Sequence, residues 1–185
     1  MLSDAPGSVG TTPIAQSLPI TKEYADRALA EDPQSADALF ALGGYYGQVY
    51  ATGELKYLDK AIETTRKAIA VRPSFPQAEN DLAYYLARKG EVPEATGIIA
   101  GVLQRDPGLR DANVLYGDWL SLMGRLDEAA AALDRWEKIS PGQPDIAAMR
   151  LSMLARRGDL AAAWRASEDL TLGRRRGRFD AFPRG

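Results

Sequence analysis

The sequence predicts an all-α fold, an α-solenoid of about four antiparallel helix pairs preceded by one further helix. Three observations predict it. Proline, glycine and alanine recur at one common interval. Apolar residues between those marks fall three and four apart, as on a helix. No stretch supports a strand.

The interval is 34 residues: Pro73, Pro107 and Pro141 hold it, as do Gly90, Gly124 and Gly158, and Ala61, Ala95, Ala129 and Ala163. Each position has a physical task. Glycine lies between two apolar-periodic stretches, in LARKGEVPEA, LMGRLDEA and ARRGDLAAA, where a left-handed residue ends one helix and makes the inner turn. Alanine follows five residues later, in the first turns of the next helix, where a small side chain lets neighbouring helices approach closely. Proline, twelve residues beyond the alanine, stops that second helix because its ring disfavours helical geometry in the preceding residue, and so makes the outer turn.

Between these marks Leu82, Leu86, Ile98, Ile99 and Leu103 keep helical spacing, as do Tyr116, Leu120, Leu126, Ala129 and Leu133. Pro93 falls in a first helical turn, where its missing donor would be unpaired anyway. Helix pairs are expected at about 36–72, 76–106, 110–140 and 144–172, with TKEYADRALAEDP upstream reading as a second helix alone, nine helices in total. The proline- and glycine-rich residues 1–19 are expected to be a flexible leader, 20–173 the solenoid domain and 174–185 a basic tail.

The 185 residues contain no cysteine and no histidine, which excludes disulfides, thiolate chemistry, imidazole bases and histidine-ligated metals. No catalytic, cofactor or metal residue is expected. The 25 Asp and Glu read as solvated surface. The first twenty residues lack a basic start and an apolar stretch of signal-peptide length, and no segment approaches the roughly 20 apolar residues of a membrane span. The default compartment is therefore the cytoplasm, or the periplasm if the chain is a piece of a larger envelope protein. The tail RRRGRFDAFPRG carries five arginines and one aspartate, hence +4; with a whole-chain charge of -2, residues 1–173 sum to -6.

These marks resemble the tetratricopeptide repeat family over residues 21 to about 173. Leu42, Gly43 and Tyr46 match the family's L-G-x-x-Y element, completed by Ala61 and Pro73; Tyr116, Gly117, Leu120, Ala129, Leu133 and Pro141 match in the third unit. The family's tryptophan is absent, with Leu39, Glu79, Asn113 and Ala147 in its place. Pro33 and Pro73 stand 40 residues apart, six more than the period, so the unit holding LGGYYGQVYATGEL has an insertion between its two helices, at VYATGEL, and its turn should protrude. Trp136 and Val102 occupy the place of Ala68, where bulk should widen the helix spacing. A pentatricopeptide array, with a 35-residue period, fits the proline ladder less well.

The resemblance implies a right-handed superhelix whose first helices line a concave wall that holds an extended peptide or a partner helix. Carried over, the wall positions are Phe40, Gly44, Gln48; Asn80, Tyr84, Arg88; Val114, Asp118, Leu122; and Ala148, Ser152, Arg156. Asp37, Gln77, Asp111 and Asp145 stand at the helix starts. Asparagine, tyrosine and arginine can hydrogen-bond a peptide backbone, and an aromatic face can take an apolar side chain. The three aspartates have a plainer task as well, since a carboxylate in a first helical turn is favoured by the helix dipole. The clamp that some members use for a C-terminal carboxylate needs basic residues where Asp111, Leu115, Asp145 and Met149 stand, so it is not expected.

The expected function is a non-catalytic interaction module, an adaptor or assembly scaffold for a protein or peptide partner. Two alternatives remain: the repeat portion of a bacterial envelope or polysaccharide assembly system, and contact with nucleic acid or another anionic partner through the tail. Five arginines on an acidic protein are a weak footprint for nucleic acid. The tail's arginines, with Phe179 or Phe182, are also candidates for self-association, either over the last helix or in a neighbouring chain's groove.

Overall fold

The computed structural model describes residues 14–167, with side chains from residue 18 onward. Eight helices are complete: α1 (Ile14–Glu31), α2 (Ala36–Ala51), α3 (Tyr57–Val71), α4 (Pro76–Lys89), α5 (Val92–Arg105), α6 (Arg110–Leu122), α7 (Leu126–Ile139) and α8 (Pro144–Arg156). A ninth helical stretch, 160–167, runs to the last described residue, and the described residues contain no strand. The basic tail expected at 174–185 lies outside them. No helix among them is long and apolar enough to cross a membrane.

The ladders set the boundaries. Helices α1, α3, α5 and α7 end at Glu31, Val71, Arg105 and Ile139, each two residues before Pro33, Pro73, Pro107 or Pro141. The inner turns at Gly90, Gly124 and Gly158 have φ of 98°, 73° and 80°, a left-handed geometry that a side chain would strain. Ala61, Ala95 and Ala129 are completely buried and Ala163 nearly so. Ser35 caps α2, its hydroxyl accepting from the Ala38 amide at 3.4 Å.

One boundary differs from the sequence reading. Helix α1 begins at Ile14 and contains Pro19, so residues 14–19, expected to belong to a loose leader, are helical. Proline in the sixth helical position removes a single ladder bond near the helix start. Leu18, Pro19 and Lys22 line an open cleft with Tyr45 and Val49 of α2.

The chain divides into two compact units, Met1–Lys89 and Gly90–Gly185. In the first, α1 packs on α2, α2 on α3 and α3 on α4. Gly43 is a packing residue: a Cβ there would stand 2.5 Å from Thr65 Oγ1. One helical turn on, Gly47 receives the Tyr85 ring of α4, whose hydroxyl would lie 2.1 Å from an added Cβ. The surplus segment between α2 and α3, residues 51–56, is exposed throughout, and Leu55 retains 73% of its surface. At its far end Tyr57 stacks on Tyr46 with centroids 5.7 Å apart, and the Lys60 ammonium stands over both rings. The insertion thus projects from an anchored aromatic base.

In the second unit, Leu120, Leu133, Trp136, Ile146, Met149 and Met153 form the core of α6, α7 and α8. Gly117 repeats the part of Gly43, admitting Met149 Cε to 2.4 Å from where its Cβ would be. Trp136 is buried to 1% at the crossing that Ala68 fills in the first unit. Beside it a cleft of about 280 Å³ opens between α5, α6 and α7, bounded by Leu103, Pro107, Tyr116 and Ile139.

Two glycines separated by one turn should therefore respond oppositely to alanine. Gly47→Ala should destabilise by roughly 1–3 kcal/mol, overpacking against Tyr85 outweighing the propensity gain. Gly44→Ala, whose Cβ would meet nothing within 4 Å, should stabilise by roughly 0.5–1 kcal/mol. Urea unfolding of both variants measures the contrast.

Candidate functional site

The first helices of the units carry every residue expected to line the wall. In the first unit these are α2 and α4. Their seam keeps one register: Tyr85 fills the space over Gly47, and the Arg88 guanidinium donates to the Tyr50 hydroxyl at 3.3 Å while standing 5.8 Å from its ring centroid. Both contacts join residues 38 positions apart, so α2 and α4 run side by side in the same direction.

Along α4, Gln77, Tyr84 and Arg88 are exposed, Tyr84 to 45%, and Asn80 is half-buried. The Asn80 carboxamide oxygen is buried without a hydrogen-bond partner, an arrangement that favours an incoming donor. Phe40 is less available than its register suggested. It is half-buried, with its ring 4.9 Å from Phe75 at the entry to α4.

The second unit presents α6 and α8. Asp118, Leu122, Ser152 and Arg156 are exposed, Leu122 to 60%. Neighbouring protein desolvates Asp118 and raises its carboxyl pKa, against a smaller downward pull from Arg156. These two therefore lie close enough to interact across the helix pair.

The aspartates at the helix starts are engaged within the fold. Asp37 receives a two-pronged contact from Arg72 at 2.8 and 2.5 Å, which lowers its carboxyl pKa, and the Arg72 guanidinium also covers the Phe75 ring at 4.5 Å. Asp145 receives the same from Arg110 at 2.8 and 2.9 Å, and Arg110 reaches Asp111 at 3.1 Å as well. These ties orient the helix starts; exposed as they are, they stabilise little.

The sequence reading missed Asp81 and Tyr85. Asp81 stands one turn before Tyr85 on the α2 side of α4. It is half-buried, forms no hydrogen bond or ion pair among the described residues, and burial pushes its carboxyl pKa up to about 6. Tyr85 is raised too, first by burial and then by the Asp81 charge. A signal was present: Ala41, Leu115 and Met149 hold the equivalent position in the other units, so Asp81 is the one polar residue of its register.

The geometry defines a class: an all-α helical-repeat protein whose first helices expose polar and aromatic rows. The sequence model of the tetratricopeptide repeat family matches residues 86–152. No curated protein matches the chain in sequence. Among solved structures, the fold is similar to that of the MamA protein, at 16% identity and a TM-score of 0.74 over 92% of this chain and 90% of that one. It is also similar to YrrB, described as a TPR protein with an unusual peptide-binding site, at 18% identity and a TM-score of 0.66 over 84% and 77% of the two chains. The α-solenoid class of these proteins is that of the present chain, and such repeats serve as protein–protein interaction modules.

Asp81 makes stability depend on pH in a definite direction. Its folded pKa, about 6, lies above the ordinary 3.8, so the folded state binds this proton more tightly. Stability from this group is complete below about 3.8 and is lost as pH rises through about 6. Asp81→Asn should accordingly raise stability at pH 7.5 by roughly 1–2 kcal/mol and leave it unchanged near pH 3.5. Thermal unfolding of both proteins across that range tests the sign.

Proposed function

We propose that the protein is a non-catalytic adaptor that holds a peptide or extended protein segment on the open faces of its first helices, on α2–α4 in one unit and on α6–α8 in the other. One observation carries this reading. Each face leaves a large apolar side chain open to solvent, Tyr84 at 45% and Leu122 at 60%, beside groups that can fix a peptide backbone. On α4 these are Asn80, with its unpartnered oxygen, together with Gln77 and Arg88. On α6–α8 they are Asp118, Ser152 and Arg156.

An isolated exposed leucine or tyrosine needs no explanation. Side by side with orphaned or desolvated polar atoms, it is the combination from which peptide grooves are built: an apolar anchor with a few polar groups that set orientation. The peptide-binding site ascribed to YrrB, on a similar fold, supports the same reading.

A pull-down with the full chain, compared with one from the Asn80→Ala, Tyr84→Ala, Arg88→Ala triple variant, tests the α2–α4 face. Loss of an aromatic anchor and two polar contacts should weaken binding at least roughly tenfold and deplete specific partners. Unchanged capture of every partner would refute this face as the contact. The Asp118→Ala, Leu122→Ala, Arg156→Ala variant asks the same of α6–α8.

A further inference from the structure

We infer that the seam between α2 and α4 is a subsite for a basic side chain, a lysine or arginine of the bound segment, with Asp81 as its anion. The inference rests on the peptide-binding reading and names what the bound segment must carry.

The first argument is position. Asp81 occupies a register that is apolar in the three other units, where Ala41, Leu115 and Met149 stand, and Met149 is buried in the core of its own unit. An acid in that place sacrifices packing. The second argument is the missing partner. The aspartates at the helix starts, Asp37, Asp111 and Asp145, each have an arginine, whereas Asp81 has no ion pair or hydrogen bond among the described residues. Burial raises its proton affinity with no cation nearby to offset it, so the carboxylate is poised to gain from one supplied by a ligand.

The third argument is room and complementary chemistry. The seam pairs Gly47 with Tyr85 and Tyr50 with Arg88, residues 38 apart, and the same offset carries Asp81 to the level of Gly43. A Cβ on Gly44 would meet nothing within 4 Å, so the α2 side of the seam is open there. Gln48, exposed on α2, supplies a carboxamide oxygen one turn beyond Gly44. The nearby cation, Arg88, is drawn away to Tyr50, two helical turns from Asp81, or about 10 Å of helix rise. Tyr84, exposed on the same helix, offers a face for the aliphatic stem of the incoming side chain.

The probe is a displayed library of random dodecapeptides selected on the full chain. Enriched peptides are then resynthesised with each basic residue replaced by norleucine, and measured by fluorescence anisotropy against the wild type and Asp81→Asn. The expected result is a shared lysine or arginine whose replacement weakens binding to the wild type about tenfold or more and to Asp81→Asn hardly at all. Enriched peptides that depend on Tyr84 and Arg88 yet share no basic residue would overturn the inference while leaving the peptide-binding reading intact. So would a norleucine penalty equal in both proteins. A library with no enrichment counts against the peptide-binding reading itself, and the inference falls with it. Because Asp81→Asn removes an unpaired desolvated charge, its melting temperature at neutral pH should not fall below that of the wild type, which separates lost binding from lost folding.

Discussion

Everything in this molecule depends on how closely helices approach at a few positions that hold only a hydrogen or a methyl group. Ala61, Ala95 and Ala129 have no exposed surface, and Gly43 and Gly117 face Thr65 and Met149 at distances that exclude a Cβ. A single helix pair buries too little apolar surface to be stable, so successive elements must pack closely against one another. Small residues at fixed intervals permit that approach. Where the rule is relaxed, at Trp136, the seam opens into a cleft of about 280 Å³.

The same constraint organises the exposed face. With α2 and α4 drawn together through Gly47 and Tyr85, the α4 residues on either side of that contact acquire distinct surroundings. Tyr84 and Arg88 open to solvent, while Asp81 is carried into the half-buried seam. Its unpaired charge is a cost to folding at neutral pH. Asp37 and Asp145 show the alternative outcome, in which the fold itself supplies an arginine that pairs with the acid.

Much of the fold was legible because its determinants are local. A proline disfavours helical geometry in the residue before it, and four helix ends fall two residues before four prolines. Glycine in a left-handed turn is equally local. The helical stretch 14–19 was not legible, because a run rich in proline and glycine points to a loose leader, whereas α1 continues through Pro19. Among the wall residues, register alone could place Tyr84, Arg88, Asp118 and Leu122 on one side of their helices. It could not show that Phe40 leans on Phe75.

The sequence by itself determined the period, the helix ends, the positions where small residues let helices meet, and the protruding six-residue surplus before α3. Tertiary structure alone decided which polar groups are satisfied. Pairing of Arg72 with Asp37 and of Arg110 with Asp145 joins residues 35 apart, and the seam contacts of α4 with α2 join residues 38 apart. Burial and charge compensation arise only when separate helices come within a few ångströms of each other. For that reason Asp81 reads as one more surface acid in the chain and becomes an unpaired, desolvated one in the fold.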